Sequence, residues 1–156
     1  MRRPSHRRRP TFGDEIWRLA QSGGVSELRR AAALLRTEGM GYDAHRATAF
    51  ALATDGDVDA ALAELNDGWT EDWPFPAAYA ADIARVRFLA GDYESSLGAL
   101  ELALHGTDRL DPQIADLAAA VAARAPRLRL RAVRVVLGGG TAWQRLRNAA
   151  VTAAAR

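Results

Sequence analysis

The sequence predicts an all-α protein, a right-handed solenoid of helical hairpins with about eight or nine helices and a C-terminal capping helix. Three observations point there. On either side of Gly91-Asp92-Tyr93 lie apolar runs with helical spacing: Tyr79, Ile83, Val86 and Ala90 before it, Tyr93, Leu97, Leu100 and Leu104 after it. The turn recurs 35 residues upstream as Gly56-Asp57-Val58, with Leu62 and Leu65 where the later copy has Leu97 and Leu100. A fixed offset of this size is the signature of a repeat array. Finally, hydrophobic residues make up 49% of the chain but aromatics only 7%. Much of the apolar content is Ala, which favours helix and close packing over a bulky β core.

The central stretch, Ala77 to His105, reads as an antiparallel helical hairpin. Gly91 can adopt the left-handed conformation that ends its first helix, and Asp92 can cap the second. Small residues correspond between the two copies, Ala49 with Ala84 and Ala61 with Ser96, and let the helices of a hairpin approach closely. A weaker upstream copy spans Asp14 to Leu35, split by Gly23-Gly24. A fourth hairpin opens at Asp111-Pro112, with Asp as cap and Pro in the first turn. Its apolar face continues through Ile114, Leu117 and Val121, and Pro126 ends or kinks the helix.

Over Ala77–Ala103, and less closely over Tyr42–Leu65, the chain resembles the tetratricopeptide repeat family. Helical hairpins of about 34 residues, a small residue midway along the first helix and Gly-Asp-Tyr at the turn carry the resemblance. Ala80 and His45 stand where the family often has Trp, and Arg87 departs from its large mid-helix position, which Leu52 fits. The resemblance implies a concave groove lined by the first helix of each hairpin. Carried over position by position, Asp43, Arg46 and Phe50 line it in one repeat and Ala81, Arg85 and Phe88 in the next. Arg46 and Arg85 would grip a partner carboxylate with two-pronged hydrogen bonds, or else pair with neighbouring acids. The family's carboxylate clamp uses Lys, and this chain has none.

Charge is segregated along the chain. All 21 basic residues are Arg, and the net charge is +2. Residues 1–13 carry five Arg and residues 117–156 carry eight, with no acid in either; residues 14–116 carry eight Arg and all 19 acids, a balance of −11. Residues 1–13 therefore read as a disordered basic arm, 14–137 as the repeats and 138–156 as the cap. An acidic body with basic ends also invites head-to-tail self-association.

Two segments are ambiguous. Asp67–Pro76, DGWTEDWPFP, reads as a loop whose Trp69 and Trp73 either plug the seam between hairpins or form a binding edge. In Arg127–Leu137, RLRLRAVRVVL, the first five residues alternate like a strand, and three glycines and a helix start follow. A phosphate cradle would need Gly at 143, where Trp stands, or a Gly-Lys-Ser/Thr motif, which is missing. A second helix over 126–137, closing the fourth hairpin, is simpler. Behind it, Thr141 and Gln144 form a capping-box pattern for a helix over 141–155. Arg127, Arg129, Arg131, Arg134, Arg145 and Arg147 then make up a basic surface. This segment either caps the array or lies on an anionic bilayer.

The chemistry of catalysis is not visible. There is no Cys, and His6, His45 and His105 have no metal-ligand spacing. Asp55, Asp57 and Asp59 lack the Glu that closes a calcium loop, and capping explains them better. The sequence thus predicts a non-catalytic adaptor or scaffold that binds a protein or peptide, with no cofactor or metal. The alternative is a module docking on nucleic acid or anionic membrane through its Arg-rich ends. With no run of 18 apolar residues or signal-peptide core, the expected location is the cytoplasm, alternatively peripheral to a membrane.

Overall fold

Four times among the described residues the chain leaves one helix and enters the next through the same backbone turn, at Gly23, Gly39, Gly56 and Gly91, each with φ between +73° and +90°. At Gly56 its N–H donates to the Ala53 carbonyl (3.0 Å) and the Asp57 N–H reaches back to that of Leu52 (2.9 Å). Gly91 repeats this with Phe88 (3.0 Å), and Asp92 with Arg87 (2.9 Å). These paired bonds satisfy the last carbonyls of the outgoing helix and require a left-handed residue, a role for glycine. The following Asp starts the next helix. Asp57 Oδ1 accepts from the Ala60 N–H and Asp92 Oδ1 from the Ser95 N–H, both at 3.1 Å.

The structure, a computed structural model, describes residues 12–72, 76–104, 112–137 and 153–155. The helices are α1 (Phe12–Gln21), α2 (Val25–Thr37), α3 (Gly41–Thr54), α4 (Val58–Asp72), α5 (Pro76–Leu89), α6 (Tyr93–Ala103), α7 (Pro112–Arg124) and α8 (Arg129–Val136). A 3-10 turn, Pro126–Leu128, leads into α8. The protein is all-α, and there is no strand among the described residues. The alternation in RLRLR is therefore not a strand. Leu128 at the end of the 3-10 turn and Ala132 and Val135 of α8 recur at helical spacing and are buried. Helix α1 begins inside the stretch read as a basic arm, by two residues.

The helices pack as successive hairpins. Helices α1, α3, α5 and α7 touch in series, while α2, α4 and α6 each contact the first helix of the next hairpin. Ala49, Ala61, Ala84 and Ser96 are fully buried. The Ser96 hydroxyl donates to the Ala84 carbonyl (2.7 Å), which pins α6 against α5. Two apolar clusters form the core, one centred on Phe50, Leu28 and Leu65, the other on Leu97, Leu100 and Val121.

The stretch Asp67–Pro76 is not a loop over its first half, because α4 continues to Asp72. Proline constrains its own φ and the residue before it, which leaves residues 67–72 able to be helical. Trp69 stacks on Tyr79 of α5 with ring centroids 5.1 Å apart, which places it in the seam between hairpins. Trp73, Arg145, Arg147 and the capping helix over 141–155, apart from residues 153–155, lie outside the described residues.

Candidate functional site

The residues expected to line an open groove are mostly inside the protein. Phe50 is fully buried, and Ala81, Arg46 and Arg85 retain 7%, 7% and 6% of their exposure. Asp43 and Phe88 are half-buried. The cause is a residue that periodicity alone did not single out, Trp17 of α1. Its indole meets Phe50 edge-on at 5.7 Å and Phe88 at 6.1 Å, and the Arg85 guanidinium lies 5.6 Å from its ring centre. Helix α1 thus covers the surface that α3 and α5 would otherwise expose.

Beneath Trp17 sits a buried polar cluster built around Asp82 of α5, which is 2% exposed. One carboxylate oxygen accepts from Arg46 Nε of α3 (2.9 Å) and from the Tyr42 hydroxyl (2.5 Å). The other accepts from Arg85 Nη1 (2.7 Å), one helical turn away on α5. Arg85 Nη2 continues to Gln113 Oε1 of α7 (2.6 Å), and Asp43 lies 3.2 Å from Arg46 Nη1. Three successive inner helices, α3, α5 and α7, are therefore joined by charge-assisted hydrogen bonds. The two arginines do pair with acids, but with one shared, buried carboxylate.

This environment shifts the ionisable groups. Burial disfavours the Tyr42 phenolate, and the Asp82 charge and hydrogen bond disfavour it further, so its pKa is raised well above the ordinary value. Burial by itself would lower the Arg46 pKa, but the attraction and hydrogen bond of Asp82 outweigh it, and the guanidinium is held charged. Such a cluster binds helices together. Arg46 Nε and both Nη atoms of Arg85 are engaged within it, while Arg85 Nε is buried with no hydrogen-bond partner.

An accessible concavity lies next to it, between α1 and α7. A cleft of about 410 Å³ is lined by Trp17, Arg18, Gln21, Gln113, Asp116 and Leu117. Trp17 and Leu117 supply apolar surface, two amides can both donate and accept, and Arg18 and Asp116 are exposed charges of opposite sign. Among the described residues no group of three or more His, Cys, Asp or Glu could hold a metal ion. His45 instead pairs with Glu64 at 2.7 Å on the neighbouring helix.

The basic C-terminal stretch finds part of its counter-charge on α6. Arg131 lies 3.1 Å from Glu101 and 3.7 Å from Glu94, and Arg127 lies 3.6 Å from Glu94. Arg127, Arg129 and Arg134 are exposed, Arg131 half-buried. No family model, curated protein or solved structure matches the chain.

Proposed function

We propose that the protein is a non-catalytic adaptor, built on a tetratricopeptide-like array, that binds a peptide segment of a protein partner between α1 and α7. The observation that carries this reading is the α1–α7 cleft. Its mixed lining of indole, Leu, two amides and an opposed charge pair suits a polypeptide, which offers backbone donors and acceptors along with mixed side chains. The repeat character is supported by the matching Gly56 and Gly91 turns and by the serial contacts of α1, α3, α5 and α7. The groove is displaced from the α3–α5 surface, which Trp17 and the Asp82 cluster occupy, to the neighbouring opening.

Site-specific photo-crosslinking tests this. A photoreactive residue at Gln21 or Asp116, both exposed on the cleft, should capture a discrete partner in the native host cell. The same residue at Ala63, exposed on α4, should not. Equal capture at all three positions would remove the cleft assignment.

A further inference from the structure

Helix α8 is apolar on two opposite sides. Leu128, Ala132 and Val135 face the core and are 6%, 2% and 1% exposed. Yet Leu130 is 77%, Val133 45% and Leu137 40% exposed. At about 100° per residue, these three fall within roughly 60° of one another on the helix surface. The exposed Arg129 lies about 40° beyond Val133, and the exposed Arg134 about 40° beyond Leu130 on the other side. The outward face is thus an apolar ridge between two basic flanks. It sits in a stretch, residues 117–156, with eight Arg and no acid.

We infer that this face docks the protein on an anionic lipid bilayer. An apolar medium over Leu130, Val133 and Leu137, with negative charge beside them, is the complement of this face. The boundary between headgroups and acyl chains supplies both, and it demands no shape complementarity from a single convex ridge. The Arg stems can lie along the apolar surface while their guanidinium groups stay among the phosphates. Among the described residues no helix is long and apolar enough to cross a membrane, so the contact is peripheral. The inward residues keep α8 folded on α7 while its other face engages lipid. The ridge is separate from the α1–α7 cleft, so a docked protein can still hold a peptide.

The test is flotation of the full chain with phosphatidylcholine vesicles, with and without phosphatidylserine. Binding should require phosphatidylserine. Each basic flank contributes a factor of about five to partitioning, so the Arg129→Ser/Arg134→Ser variant should bind roughly 25-fold more weakly. Leu130→Gln/Val133→Gln should also weaken flotation while leaving the urea midpoint unchanged, since both side chains are exposed. The chain has no cysteine, so an environment-sensitive dye on Leu137→Cys reports one site. Its emission should shift to the blue on phosphatidylserine vesicles, whereas a dye on Ala63→Cys should not respond.

Three results would overturn the inference. One is flotation that survives the Leu130/Val133 variant and disappears when residues 1–11 are removed, which assigns binding to the N-terminal arginines. Another is a dimer dissolved by Leu130→Gln/Val133→Gln with no vesicle binding, which assigns the ridge to a second copy. The last is binding of duplex DNA that depends on Arg129 and Arg134 but ignores Leu130 and Val133, with no vesicle binding.

Discussion

Replacing Asp82 with Ala should be among the most damaging single changes the protein can undergo. The Asp82 side chain is 3% exposed and sits between guanidiniums that are 9% (Arg46) and 7% (Arg85) exposed. Without it, two buried cations lose their shared partner, and the Tyr42 hydroxyl loses its acceptor. Breaking a buried ion pair from one side costs about 3–5 kcal/mol, mostly because the remaining charge is left uncompensated. For a domain of this size that corresponds to a drop in Tm of about 6–20 °C. Urea unfolding followed by far-UV circular dichroism measures it, with Asp82→Asn as the conservative companion. The charge argument has a second consequence. Asp82→Leu combined with Arg46→Met and Arg85→Met removes the three buried charges together, and should cost far less than Asp82→Ala alone. A loss below about 1 kcal/mol for Asp82→Ala, or a triple variant less stable than the single one, would refute the reasoning.

Other outcomes follow from particular atoms. A Cβ on Gly68 would lie 2.8 Å from that of His45, whereas one on Gly98 meets nothing within 4 Å. Calorimetry should therefore find Gly68→Ala destabilising by about 1–2 kcal/mol and Gly98→Ala stabilising by about 0.5–1 kcal/mol. The folded chain keeps Tyr42 protonated after the unfolded chain has begun to ionise. Stability should thus be complete below the ordinary value of 10.0 and fall as pH rises past it. Urea midpoints between neutral and strongly alkaline pH should show a shallower decline in Tyr42→Phe. Asp92 behaves in the opposite sense, since hydrogen bonds from Ser95, with help from Arg87, hold its pKa below the ordinary 3.8. Asp92→Ala should cost about 1 kcal/mol at neutral pH. The gap to wild type should close as pH falls through the folded-state value, as equilibrium unfolding at acid pH would show.

The hairpin turns were readable because the chemistry that makes them is local. A glycine able to take positive φ, followed by an aspartate able to cap, determines the chain path within six residues. Helix α8 is legible as the return helix of the fourth hairpin, and the helical spacing of Leu128, Ala132 and Val135 is the physical signal behind it. What could not be read was which side of α3 and α5 faces water. That depends on Trp17, from a helix 33 residues before Phe50 and 71 before Phe88, and on Asp82, which lies 36 residues from Arg46. One signal was available. Asp82 and Arg85 share a face with Ala81 and Ala84, which is an odd place for exposed charge and a good one for a buried pair. In the aromatic stretch, Gly68 and the acidic residues of 67–72 read as loop, yet helix α4 runs on through them to Asp72.

The position of Trp17 also bears on the order of assembly during synthesis. At about 5–20 residues per second, the ribosome needs roughly 4–14 s to go from Trp17 to Phe88. For that interval the first helix has been made, but Arg85 and Phe88, two of its three ring partners, have not. Until then Phe50 is the one of these partners already in place, so the indole is expected to be fully covered only after α5 has been made. A fragment ending at Thr54 has Trp17 as its sole tryptophan, so its fluorescence reads this directly. Emission typical of a water-exposed indole fits that order, and a fully blue-shifted band would mean that α1 docks without waiting for α5.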